Sequence, residues 1–218
     1  MSVFELHTAS PLPERFFARP TASVARDLLG KILVSTVGGS VAAGRIVEVE
    51  AYLGADDPGS HAATKGVTAR NATMYGPPGR AYVYFTYGNH HMLNLVTEED
   101  GVAGAVLIRA IEPVLGEEVM RMRRGRGGHD CTNGPGKVAA ALGVTLEHNG
   151  VALAPGGPLC CYDAPPAHEP IRTSGRIGLS RGHDVELRFY LDGNPFVSKG
   201  RPGLRRAKPR SQKRGVAR

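Results

Sequence analysis

Two carboxylates and a tyrosine alternate within one short segment, because Glu48, Glu50 and Tyr52 are each separated by one apolar residue. In an extended strand alternate side chains point to the same face, so these three would share one face. A carboxylate that faces a pocket can act as a general base, and two carboxylates close together can cleave a glycosidic bond. The same alternation is typical of the solvent-exposed face of an antiparallel sheet. The spacing alone leaves both interpretations open.

Aromatic side chains are concentrated just downstream, since five of the 7 Tyr and 6 Phe residues of the chain lie between positions 75 and 87. A period of two puts Tyr82 and Tyr84 on one strand face, and Tyr87 precedes Gly88, where a turn would project its ring outward. Exposed rings can stack on nucleic acid bases, at about 1–3 kcal/mol per base. A core strand whose hydroxyl groups bond to the backbone would have the same pattern.

Histidines at positions 61, 90 and 91 raise the question of a metal site. His90 and His91 are adjacent in a predicted strand, so their side chains point to opposite faces and cannot easily bind one ion together. The three cysteines lack the CxxC spacing of a zinc cluster, and an odd number does not fit a disulfide framework. The sequence therefore predicts no metal site and no disulfides.

The surrounding sequence predicts the elements that must position these residues. Two β-branched runs on either side of Gly38 and Gly39 predict a hairpin. Thr21 precedes an amphipathic run and is predicted to cap a helix that stops at Gly30. Further strands are predicted at 80–87, 90–96 and 103–111, helices at 116–124 and 135–142, and short strands beyond residue 150. We therefore predict an α+β fold, a single mixed domain with a curved antiparallel β-sheet core flanked by short helices.

Positive charge is concentrated at the C-terminus. The chain holds 27 Lys and Arg against 20 Asp and Glu, a net charge of +7. Residues 199–218 contain nine basic and no acidic residues, so residues 1–198 hold 18 basic and 20 acidic residues, a net charge of −2. We predict one domain over residues 1–198 and a basic, flexible tail over residues 199–218. Such a tail either binds a polyanion or only improves solubility.

The composition also bears on location. No stretch approaches the ~20 apolar residues that a membrane helix needs. The N-terminal segment has acidic residues and prolines where a signal peptide has a cationic start and an apolar run. We therefore expect a soluble intracellular protein, in the cytoplasm or nucleoid of a prokaryote or in the nucleus of a eukaryote.

Specific blocks occur in order along residues 10–198: RIVEVEAYLG (45–54), His61, ARN (69–71), GRAYVYFTYG (79–88), HMLN (91–94), AVLIRAIEP (105–113), CTNGPGK (131–137) and NPFVS (194–198). Together they strongly resemble the alkyladenine DNA glycosylase family, which is also described as the 3-methyladenine or methylpurine DNA glycosylases. Several ordered blocks are far more specific than one short motif.

The resemblance implies an enzyme that flips a damaged purine out of duplex DNA and hydrolyses its N-glycosidic bond. Glu50 matches the general base that activates the attacking water. Arg109 matches an arginine that helps to hold the water and the backbone near the site. Tyr87 matches the residue that inserts into the duplex and fills the gap left by the extruded base.

The resemblance also implies the walls of a base-binding pocket. Tyr52, His61 and Tyr84 match the residues that sandwich the extruded base. Asn94 matches the pocket residue whose side chain screens against the 2-amino group of normal guanine. The implied substrates are 3-methyladenine, 7-methylguanine, hypoxanthine and ethenoadenine.

The implied partner is double-stranded DNA containing damaged purines, bound by a monomer without a metal, an organic cofactor or a membrane. Two alternatives remain open. One is a non-enzymatic nucleic acid binder that uses the tyrosines for stacking, although a buried carboxylate facing an anionic ligand favours the enzyme. The other is a bifunctional glycosylase and lyase in which Lys137 is the amine nucleophile, whereas the family resemblance implies water.

Overall fold

The computed structural model describes residues 9–86, 88–200 and 202. Its helices are α1 (Glu14–Phe17), α2 (Thr21–Leu28), α3 (Ala62–Lys65), α4 (Glu117–Arg124) and α5 (Pro135–Leu142). Its strands are β1 (Ile32–Ser35), β2 (Ala42–Tyr52), β3 (Ala81–Thr86), β4 (His90–Val96), β5 (Ala105–Leu115), β6 (Leu159–Tyr162), β7 (Ile171–Ser174) and β8 (Arg188–Leu191). The predicted tail lies outside the described residues except for Lys199, Gly200 and Pro202, so its boundary stays a prediction.

The strands of the described residues join one antiparallel sheet in the order β3, β4, β5, β2, β1, β6, while β8 pairs with β2 and β7. Strand β2 is the centre of the fold, because it pairs with β1, β5 and β8 along different parts of its length. The sheet is curved and short helices flank it, which confirms the predicted α+β class. No helix within the described ranges combines the length and the apolar composition that a bilayer crossing requires.

The alternation in β2 separates a core face from a polar face, as the sequence predicted. Val47, Val49 and Ala51 have no exposed surface and belong to the main hydrophobic core, with helices α2 and α5 packed on that side. Glu48 and Glu50 point to the other face, and neither has any exposed surface. The alternative of a solvent-exposed sheet face is therefore wrong.

The register between β2 and β5 is irregular beside Glu48. Ile46 pairs with Ile111 and Val49 with Ile108, but Glu48 pairs with Ala110, so the register shifts and then returns. Irregularities of this kind change the direction of a side chain and often lie next to active sites.

The structure corrects some local predictions. Thr21 is the first residue of α2 rather than its cap. The capping acceptor comes from elsewhere in the chain, because Glu98 Oε1 accepts hydrogen bonds of 2.6 Å from both the backbone N–H and the hydroxyl of Thr21. Helix α3 lies where no helix was predicted, and β5 extends to Leu115, beyond the predicted end at residue 111.

Candidate active site

The polar face of four neighbouring strands lines a cavity of about 410 Å³. Strand pairing puts Tyr82 opposite Asn94, Asn94 opposite Leu107, and Leu107 opposite Glu50. Directly opposed residues share a face of the sheet, so the register brings side chains of β3, β4, β5 and β2 to one side. The residues that line the cavity include Tyr52, His61, Tyr84, Asn94, Arg109 and Ile177.

Glu50 lies behind this wall, and three residues that line the cavity fix its orientation. Its Oε2 accepts a hydrogen bond of 2.8 Å from the Tyr52 hydroxyl. Its Oε1 accepts one of 2.7 Å from the backbone N–H of Ile177 and lies 3.2 Å from Arg109 Nη1. A buried carboxylate held in this way can act as a proton acceptor at the cavity without a large rearrangement.

Arg109 connects the two carboxylates. Its Nε donates to Glu48 Oε1 at 2.9 Å while its Nη1 lies beside Glu50. Burial works against the charge of this guanidinium, but Glu50 and Glu48 raise the pKa of Arg109 above its usual value. The site therefore holds a permanent cation between two carboxyl groups.

Glu48 is occupied by several donors. Its Oε1 also accepts from Arg188 Nε at 2.7 Å and from the Ser198 hydroxyl at 2.8 Å, and its Oε2 accepts from the Ser198 N–H at 2.7 Å. Burial opposes the ionisation of this carboxyl, but Arg109 and Arg188 hold its pKa below the ordinary value. Glu48 is thus an anchored carboxylate in an ion-pair network.

Aromatic rings form another part of the cavity wall. His61 and Tyr84 contact each other edge to face with centroids 4.8 Å apart, and His61 Nδ1 lies 3.0 Å from the Tyr82 hydroxyl. Burial, with a smaller contribution from Arg70, lowers the pKa of His61, so its ring is neutral at neutral pH. Burial followed by the charge of Glu50 raises the pKa of Tyr52. These rings present uncharged aromatic surface to the cavity.

Asn94 is buried at 2% exposure, and its Nδ2 donates to the Tyr82 carbonyl at 3.0 Å. This bond satisfies the amide donor and fixes the side chain in the cavity wall. An amide that is held at a cavity surface can discriminate between ligands by their polar substituents.

The model of the family described as methylpurine-DNA glycosylase matches residues 15–195. The chain belongs to this family. A relative from Chlorobaculum tepidum is 45% identical over 205 residues, which cover 92% of this chain and 95% of the relative. One from Methanocella arvoryzae is 48% identical over 197 residues, which cover 88% of this chain and 98% of the relative. Both carry the name "Putative 3-methyladenine DNA glycosylase".

As a methylpurine-DNA glycosylase family member, the chain is a DNA glycosylase, which excludes the non-enzymatic binder. Five of the predicted site residues line one cavity: Tyr52, His61, Tyr84, Asn94 and Arg109. The sixth, Glu50, lies behind them and accepts a hydrogen bond from Tyr52. Tyr87 lies outside the described residues, so its predicted insertion into DNA stays a prediction. The individual roles of the six residues also stay predictions.

Sequence reasoning missed a buried ion pair behind Tyr52 in this glycosylase. Arg176 has no exposed surface and donates to both carboxylate oxygens of Asp57 and to the Ala51 carbonyl. Its guanidinium carbon lies 4.8 Å from the centroid of the Tyr52 ring. The ion pair supports one face of that ring. Arg176 also directly precedes Ile177, whose backbone N–H donates to Glu50. No local pattern could have revealed it, because the partners are 119 residues apart.

Other candidates lie apart from the cavity in this glycosylase. Lys137 lies in the first turn of α5 and donates to Asp130 and, at 2.7 Å, to Asn133 Oδ1. His91 packs on Phe85 with ring centroids 5.1 Å apart. Within the described residues, no group of three or more His, Cys, Asp or Glu side chains could hold a metal ion. The cysteines at 131, 160 and 161 are buried free thiols.

Proposed function

We propose that this DNA glycosylase, acting as a monomer, flips alkylated or deaminated purines out of duplex DNA and hydrolyses their N-glycosidic bonds with a water activated by Glu50. The proposed substrates are 3-methyladenine, 7-methylguanine, hypoxanthine and ethenoadenine. The supporting observation is a buried, oriented carboxylate directly behind the wall of an aromatic cavity, in contact with the lining residues Tyr52, Arg109 and Ile177. The cavity volume of about 410 Å³ falls within the range of small-molecule sites, about 300–1,000 Å³.

In the proposed reaction the extruded base enters the cavity and stacks on the rings of Tyr52, His61 and Tyr84. Glu50 accepts a proton from water as the water oxygen bonds to C1′ of the sugar. The bond from C1′ to the base nitrogen breaks, and the base leaves with the bonding electrons. The nearby carboxylate also stabilises the positive charge that develops on the sugar. Tyr87 is proposed to fill the gap in the duplex.

Single-turnover excision tests this function. Four duplexes, each with one of the proposed lesions, are incubated with excess protein, and strand cleavage at the resulting abasic site is measured after alkali treatment. We expect excision of at least one lesion and no cleavage of the undamaged duplex. Absence of excision on all four duplexes would contradict the proposal.

Asn94 is proposed to exclude guanine, because a 2-amino group would meet the amide that is held by the Tyr82 carbonyl. Asn94→Ser shortens the side chain and opens space for that group. We expect the release of unmodified guanine relative to hypoxanthine to rise about tenfold, within the range of one discriminating contact. Asn149→Ser is the matched control, since Asn149 bonds to the Val83 N–H and to Thr73 instead. An equal loss on all bases would make Asn94 a structural residue.

The basic tail is proposed to contact DNA phosphates. Pro202, the last described residue, pairs with Ile177, which lines the cavity. A chain ending at Pro202 loses seven basic residues but keeps Ser198 and its bonds to Glu48. We expect the slope of log affinity against log salt to become shallower by about 0.9 for each phosphate that the removed residues would neutralise. An unchanged slope would show that residues 203–218 do not contact DNA.

A further inference from the structure

The guanidinium of Arg109 is shared between two buried carboxylates in an unequal way. It donates through Nε to Glu48 at 2.9 Å, whereas its Nη1 lies 3.2 Å from Glu50. Its Nη2 is 3.3 Å from the Ser198 hydroxyl, which itself donates to Glu48. The orientation of Arg109 is therefore determined mainly on the side of Glu48.

Glu48 is a rigid anchor for this arginine. It has no exposed surface. Arg188 of β8 donates to it, and so does the backbone N–H of Ser198, which lies after β8. A planar guanidinium that meets a fixed carboxylate loses little further freedom when it forms its hydrogen bonds. Without this anchor, Arg109 could turn both of its donor edges towards Glu50.

We propose that Glu48 is a positioning residue for the reaction. It holds Arg109 at one edge of Glu50 and neutralises part of the arginine charge, so that Glu50 remains basic enough to take a proton from water. This inference rests on the proposed role of Glu50 as the general base, and Glu48 itself contacts neither substrate nor water in it.

The charges around Glu50 give the direction of the expected effect. The titratable or charged side chains that face Glu50 from neighbouring elements are Tyr52 of β2, Arg109 of β5, Arg188 of β8 and Arg176 of the loop after β7, the last paired with Asp57. Glu48 is a further anion in this group, and Arg109 connects it to Glu50. The negative charge of Glu48 disfavours a second negative charge on Glu50. Removing it while the nearby cations remain stabilises the ionised form of Glu50, which makes Glu50 a weaker base.

The test is Glu48→Gln, assayed by single-turnover excision from about pH 4 to about pH 9, a range that begins below the ordinary pKa of a glutamate, about 4.3. We expect the acid limb of the rate profile to move to lower pH by about one unit. The plateau rate should fall about tenfold, as for a weakened general base. Affinity for an abasic-site analogue should stay within a few fold.

Two further variants separate positioning from a general structural effect. Glu112→Gln is the matched control, because Glu112 also pairs with an arginine, Arg45, on the same sheet. The acid limb of the rate profile of this control variant should not move. In the Arg109→Lys variant the lysine cannot reach both carboxylates. The double variant Arg109→Lys, Glu48→Gln should therefore have nearly the same excision rate as Arg109→Lys alone, as expected when two residues act through one contact.

An unchanged acid limb and plateau in folded Glu48→Gln would overturn the inference. If that variant does not fold, Ser198→Ala replaces it, since it removes one hydroxyl from both Glu48 and Arg109. Its plateau rate should fall about threefold, the cost of one weak hydrogen bond, and a wild-type rate would overturn the inference. Absence of excision by the wild-type protein would instead count against the proposed function.

Discussion

We expect Glu50→Gln to lower the single-turnover rate of lesion excision by about 10²- to 10⁴-fold, the contribution typical of a general base. Glutamine has the same shape and can still accept the hydrogen bond from the Ile177 N–H, but it cannot take a proton from water. It also lacks the negative charge that would stabilise the developing oxocarbenium ion. Affinity for an abasic-site analogue should remain within a few fold, because the binding surface is preserved.

Glu112→Gln serves as the control here too, since its carboxylate pairs with Arg45 and not with a cavity residue. Its excision rate should equal that of the wild-type protein. Near-normal turnover by Glu50→Gln would contradict the assignment, and Glu48 would then become the candidate base. The excision rates of Glu50→Gln and Glu48→Gln on one lesion therefore decide which of the two carboxylates is the base.

Asp57→Ala is expected to reduce the free energy of unfolding by about 3–5 kcal/mol, the usual cost of leaving one member of a buried ion pair without its partner. Arg176 has no exposed surface, and Asp57 accepts hydrogen bonds from both of its terminal nitrogens. Asp57 also accepts from the backbone N–H groups of Leu53 and Gly59. The substitution therefore leaves a buried cation and two backbone donors without their acceptor.

Urea denaturation at neutral pH measures this change. Asp56→Ala is the matched control, because the neighbouring Asp56 is exposed, and its effect should stay within about 0.5 kcal/mol. A decrease below about 1 kcal/mol for Asp57→Ala would contradict the prediction, since it would equal the contribution of an exposed ion pair.

The decrease should also depend on pH. Burial opposes the ionisation of Asp57, but the hydrogen bonds from Arg176 hold its pKa below the ordinary value. A carboxyl with a lowered pKa in the folded state contributes stability that is present above its unfolded pKa, about 3.9, and is lost as the pH falls through the folded value. The difference between the wild-type protein and Asp57→Ala should therefore narrow below about pH 4.

Local patterns determined a large part of this protein. The alternation around Glu48, Glu50 and Tyr52 predicted a shared strand face, because side chains alternate in every extended chain regardless of its neighbours. Helix α5 begins at Pro135 as predicted, since proline suits the first turn of a helix. The ordered blocks were specific enough to indicate the family, which the family model then confirmed.

Only the tertiary structure decided how the two carboxylates differ. Arg109, Arg188 and Ser198 reach Glu48 from 61, 140 and 150 residues away, and the backbone of Ile177 reaches Glu50 from 127 residues away. Burial had the same origin, since the segments that carry Arg188, Ser198 and Ile177 contact the two carboxylates on the polar face of β2. Local periodicity determines which way a side chain points, whereas its solvent exposure and its partners depend on strand pairing and loop packing between distant segments, which no short sequence pattern encodes.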